Sequence, residues 1–227
     1  MTALSSILAT RSFQWAILLA LLCCYPFSLV MEPTWAWETG ILEIAQTSVL
    51  VAGFVFAASA WLGMRPGRAA MLALCVMPVW IILAGRELSW GAVFLPGLDT
   101  GIGRPVYSSK ILWYRPLVAP VAGGLLLAAL YLGWRHRVDR VLRGVAAAGL
   151  FPWGLVLVMV LVALASSLAE GHLGMPRSAF PQAESFEELV ELVGYIALVA
   201  AQERVFHASR VLERPGTTER QPEMAGR

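Results

Sequence analysis

Charge is scarce in this sequence. Only 14% of its 227 residues are Asp, Glu, Lys or Arg, while 58% are hydrophobic and the mean hydropathy is +0.69. Soluble domains carry about 25% charged residues, so most of this surface does not meet water and the bilayer is the expected solvent. Lysine is nearly missing: Lys110 stands alone, and every other basic residue is Arg. These arginines are not interleaved with aromatics as in a nucleic-acid reader, which removes nucleic acid as a partner. The three cysteines, Cys23, Cys24 and Cys75, all sit in apolar runs without metal-ligand spacing, which excludes a disulfide framework. No HExxH and no GxGxxG occurs, so the sequence indicates neither a metal nor a cofactor.

What the chain has is long apolar runs. Six stand out, near 13–31, 40–63, 69–88, 116–134, 145–168 and 187–206. Runs of about 20 apolar residues span the ~30 Å hydrocarbon core, and lipid admits only helices or closed barrels. The predicted fold is therefore an all-α polytopic membrane protein, a bundle of about six transmembrane helices. Basic residues set its orientation. With the N-terminus in the cytoplasm, twelve of the 17 basic residues fall on that side: Arg11, Arg65, Arg68, Arg135, Arg137, Arg140, Arg143, Arg204, Arg210, Arg214, Arg220 and Arg227. The positive-inside rule then places both termini in the cytoplasm. The sequence sets no oligomeric state.

The first run resembles a signal peptide in its charged start at Arg11, but it is longer than an ordinary h-region, and bulky Trp and Pro surround its candidate cleavage site. Residues 1–208 are thus read as one membrane domain. Residues 209–227, rich in polar residues with Pro and Gly, are read as a disordered cytoplasmic tail. The longest connection on the outer side, roughly 86–115, is expected to turn at Pro96-Gly97 and at 101–103.

Polar residues at the ends of the apolar runs carry the functional reading. The third run ends AGRELSWG, placing Arg86 and Glu87 at its outer end with Ser89 and Trp90 just beyond. The second run begins WETGILEIAQ, with Glu43 about one turn inside. The sixth begins ESFEELVELVGY, with Glu187, Glu188 and Glu191 near its entrance. The topology brings these groups to one depth. An isolated charge at a membrane helix centre costs roughly 2.5–3.5 kcal/mol on insertion scales and less near an end, so Arg86 is expected to pair with a carboxylate of another helix, Glu43 or Glu191. Arg86 and Glu87 point about 100° apart on a helix and are not expected to face one partner. Glu43 and the Glu187 group also suit helix N-termini, where the dipole favours negative charge; Glu87 lies at a C-terminus, where it does not. Gly91 suits a left-handed helix end. Asp99 and His172 are secondary candidates on the outer loops. Ser89, His172 and Asp99 together lack the glycine pattern of a nucleophile elbow.

The segments GRELSWG, WETGILEIAQ and FEELVELVGY resemble an uncharacterised group of small polytopic bacterial inner-membrane proteins, whose members end a membrane helix in an Arg-Glu-(aliphatic)-Ser-Trp-Gly motif and begin the last helix with Glu-rich sequence. The resemblance implies a shared six-helix-type architecture and draws attention to Arg86, Glu87, Ser89 and Trp90; it implies no activity. The membrane hydrolases related to alkaline ceramidase use helix-embedded histidines around zinc, which this chain lacks. The expected site is a polar pocket on the periplasmic side built from Glu43, Arg86, Glu87, Ser89, Trp90 and Glu191. It either holds a lipid headgroup, ion or small solute or clamps the helices. A proton-coupled carrier and a membrane enzyme acting on lipid-like substrates are the alternatives.

Overall fold

The computed structural model describes residues 11–99, 105–172, 174 and 181–213, and these are helical apart from one short hairpin. Helix α1 is Arg11–Val30. A 3-10 turn, Pro33–Ala36, leads into α2, Ile41–Gly63, which is followed by α3, Arg68–Glu87. A 3-10 segment, Ser89–Phe94, and a hairpin pairing β1, Leu98–Asp99, with β2, Pro105–Val106, follow. Then come α4, Arg115–Arg135; α5, Val138–Ala147; α6, Trp153–Ala169; and α7, Ala183–Leu212.

Among the described residues, four helical stretches are long and apolar enough to cross a membrane: Ser12–Val30, Pro33–Gly63, Arg68–Glu87 and Arg115–Arg135. Helix α6 is apolar but shorter, with 17 residues. The expected run 145–168 begins late because two breakers intervene. Gly149 takes φ +69 and Pro152 is the N-cap of α6, so the chain is helical from Trp153 only. The residues before the break form α5, a ten-residue amphipathic helix that buries Val138 and Val145 and exposes Arg140 and Asp139. Asp139 pairs with Arg143 one turn on, and that hydrogen bond holds its carboxyl below the usual range.

The sixth run is the middle of a longer helix. At 30 residues α7 is about 45 Å long, and it continues through Leu212, so residues 209–212, expected in the tail, are helical; residues 214–227 lie outside the described part of the chain. Helix α7 is too rich in charge to be an apolar span in its own right, and packing explains how it is accommodated. It contacts α6, α2, α1, α5 and α3 and is shared by both hydrophobic cores. One core joins Ile17 and Cys24 of α1 to Leu155 and Val158 of α6 and to Val190 and Ala197 of α7. The other joins Leu50 and Ala57 of α2, Ala73 and Trp80 of α3, and Val199 and Phe206 of α7. The polar groups of α7 thus face protein rather than lipid. The outward faces of α1 and α4 carry exposed Trp15, Leu22, Leu127 and Leu130, as a lipid-facing surface requires.

Two glycines allow the close helix contacts. A Cβ on Gly53 would lie 2.7 Å from the Trp80 ring, and one on Gly194 would lie 2.7 Å from Val162 Cγ1. Small residues let membrane helices approach closely, which matters because lipid offers no hydrophobic drive for their association. Trp80 is 1% exposed; its indole N–H donates to Gln202 Oε1 at 2.6 Å, and Gln202 Nε2 donates to the Gly53 carbonyl at 3.1 Å. This polar tie joins α2, α3 and α7 in mid-bundle.

Candidate functional site

The start of α2, the end of α3 and the start of α7 meet at one end of the bundle. They enclose a cavity of about 650 Å³ lined by Glu38, Glu43, Arg86, Glu87, Ser89, Gln182, Glu184, Glu187, Glu188 and Glu191, together with Pro33, Ala36, Trp37, Ala183 and Ser185. Antiparallel chain direction produces this meeting. Helix α3 runs toward the end from which α2 and α7 start, so a C-terminal arginine faces N-terminal carboxylates.

Arg86 is the hub. Its Nη2 donates to both Glu191 oxygens at 2.8 Å, and its Nε donates to Glu87 Oε1 at 3.3 Å. Glu191 also accepts from the Ser166 hydroxyl of α6 at 3.2 Å. Glu87, the carboxylate at an unfavourable helix end, accepts a 2.6 Å hydrogen bond from the Tyr195 hydroxyl. Arg86 and Glu87 were expected to face different partners, yet both reach α7, through residues four apart on one helix face. A flexible arginine stem spans the angle that separates neighbouring residues. Glu191 rather than Glu43 is the partner. Glu43 turns back to accept the Thr39 N–H and so serves the start of its own helix. Glu188 is tied to α2: Gln46, 0% exposed, donates from Nε2 to the Glu188 carboxylate at 2.8 Å and to its backbone carbonyl at 2.9 Å.

Gln46, Ser166 and Tyr195 escaped the sequence reading. Helical spacing marks two of them, since Gln46 follows Glu43 by three and Tyr195 follows Glu191 by four, distances that place side chains on one face. Ser166 lies on α6 and had no local signal.

The SWG of the motif builds the wall rather than a reactive group. Ser89, Trp90 and Gly91 all take positive φ, at 44, 57 and 97, a left-handed run that turns the chain sharply off the end of α3. The Trp90 ring folds back onto α3, where a Cβ on Gly85 would lie 2.7 Å from it, and the Trp90 carbonyl accepts from the Tyr114 hydroxyl at 2.7 Å. Ser89 lines the cavity. Asp99 lies in β1, opposite Pro105. His172 is not brought into the cavity: it is largely exposed just beyond α6, with Nδ1 2.7 Å from Glu170 Oε2.

Among the described residues, seven carboxylates and one guanidinium line the cavity. The arrangement suits a positively charged group, for which carboxylates are the complementary hard oxygen donors. Two of them, Glu187 and Glu191, join Glu170 from the end of α6, and one oxygen from each of the three lies within 4.8 Å of the others; both Glu191 oxygens are already engaged by Arg86. No family model, no characterised protein and no solved structure matches the chain.

Proposed function

We propose that this chain is a six-helix protein of a bacterial inner membrane, with both termini in the cytoplasm, that binds a positively charged group in a periplasm-side cavity. Six crossings count α6 and α7 with the four long apolar helices. Helix α7 crosses despite its charges because its neighbours surround it, and α6 is short because its ends dip into the interfaces. The distribution of arginine supports the orientation.

The observation that carries the binding reading is the imbalance, among the described residues, of seven carboxylates against one guanidinium in a single cavity. Arg86 neutralises Glu191 and Glu87 and holds α3 on α7, while carboxylates outnumber cations among the described residues of the cavity wall. A carrier would need a path inward. Along α2, α3 and α7 the next layers are the buried Gln46 and then the buried Trp80–Gln202–Gly53 tie, which favours binding over transport. An enzyme acting through a Ser-His pair would need the histidine at the cavity, and His172 lies outside it.

The test is a titration of the purified full chain at low ionic strength with ethylammonium, with acetate as the anionic counterpart. Saturable ethylammonium binding is expected, weakened at least tenfold by the double substitution Glu184→Gln and Glu187→Gln, with no acetate binding. Acetate binding as tightly, or an unchanged double variant, would overturn the proposal.

A further inference from the structure

Arg86 and Glu191 line a second space as well. A groove of about 360 Å³ runs down from them between α3 and α6, with α7 as its floor. Below the ion pair its walls are apolar, with Leu83 of α3, Met159 and Ala163 of α6, and Leu198 of α7. The floor is close-packed where Gly194 meets Val162, and the groove's open side lies between α3 and α6. Arg86 and Glu191 line both the groove and the acidic cavity, so the ion pair stands at their boundary.

We infer that the cavity and the groove are two halves of one site, occupied by a lipid of the outer leaflet whose head carries an ammonium group. The inference rests on the cation-binding reading above and specifies its ligand. Charge complementarity selects the head: an ammonium donates hydrogen bonds and accepts none, while the cavity wall is carboxylates. Gln182 adds an acceptor, since its Oε1 is buried on the cavity wall without a hydrogen-bond partner among the described residues. Arg86, with 57% of its side chain exposed, remains accessible to an anionic linker such as a phosphate next to the head. The groove selects the tail. A soluble amine leaves it empty, and an acyl chain enters it from the bilayer without crossing water. Because lipid tails are as apolar as the groove, the chain adds position more than affinity, and the head supplies selectivity.

The experiment uses the full chain in an uncharged maltoside micelle and a sixteen-carbon alkylammonium bearing a mid-chain diazirine. After illumination, labelled residues are located by peptide mass spectrometry. Labelling on the groove-facing residues of α3, α6 and α7 is expected, at least fivefold above the exposed faces of α1 and α4. Excess ethylammonium should displace it, because the head occupies the cavity. The alkyl sulfate of the same chain should label the groove at least fivefold less. Label spread evenly over the apolar surface overturns the inference and leaves the cavity reading intact, provided ethylammonium still binds by titration. Groove labelling that ethylammonium does not displace also overturns it, since the two spaces are then independent. Equal labelling by the sulfate removes the ammonium assignment. Failure of ethylammonium to bind at all removes the cavity reading and this inference together.

Discussion

Replacing Arg86 with alanine removes the one positive charge that pairs with Glu87 and Glu191 among the described residues. The two carboxylates are 8% and 14% exposed, while the arginine side chain is 57% exposed. Breaking a fully buried pair costs about 3–5 kcal/mol, because a charge is left without compensation; a surface pair is worth about 0–1 kcal/mol. This site lies between those limits, since solvent screens the arginine end, and a loss of about 2 kcal/mol is expected. In a chain of this size that lowers the melting temperature by about 4–8 °C. Glu191→Gln keeps an acceptor and should cost less. In a double-mutant cycle, Arg86→Ala and Glu191→Gln should couple by about 1 kcal/mol or more, within the range for contacting residues. Arg86→Ala and Glu43→Gln should add, because Glu43 bonds to Thr39 instead. Thermal unfolding in detergent, followed by circular dichroism, reads the parent and all five variants. Additivity with Glu191→Gln, or an Arg86→Ala protein as stable as the parent, would refute the clamp. Coupling to Glu43→Gln would show that the arginine has a different partner.

Three further outcomes are expected. Gly53→Ala should lose about 1–3 kcal/mol through overpacking against Trp80, and Trp80→Phe about 1–3 kcal/mol by leaving the Gln202 oxygen unsatisfied; retention of both melting temperatures would remove the mid-bundle tie. Gly91→Ala should lose about 1–2 kcal/mol from its left-handed backbone alone, with more from the new Cβ 2.9 Å from Tyr114 Oη, whereas the same change at Gly63, which meets nothing within 4 Å, should not destabilise. For orientation, a cysteine at Arg65 should react with an impermeant maleimide only after the inner membrane is opened, and a cysteine at Lys110 should react in intact spheroplasts. The reverse pattern would invert the topology.

Much of the fold was legible in the chain because lipid imposes a simple rule: backbone groups must be satisfied within each crossing segment. Runs of apolar residue therefore mark helices directly, and α3 and α4 begin and end within a residue of the runs 69–88 and 116–134. The break at Gly149–Pro152 was legible in principle but was overridden by the surrounding apolar residues. The candidate site was only half legible. Glu43, Arg86, Glu87 and Glu191 drew attention because charge is conspicuous in an apolar context, and the alternating direction of the helices put them at one end.

Composition and spacing by themselves determined that this is a helical membrane protein with polar groups gathered at the ends of its apolar helices. Only the tertiary structure decided that Glu191 is the partner of Arg86, that Tyr195 satisfies Glu87, and that Gln46 and Ser166 join the network. Hydropathy is a property of one segment and can be summed along it. Pairing depends on the rotation of each helix about its axis, which contacts such as Gly53 on Trp80 and Gly194 on Val162 fix. The same contacts make α7 the centre of the bundle, a place its own charged sequence did not reveal.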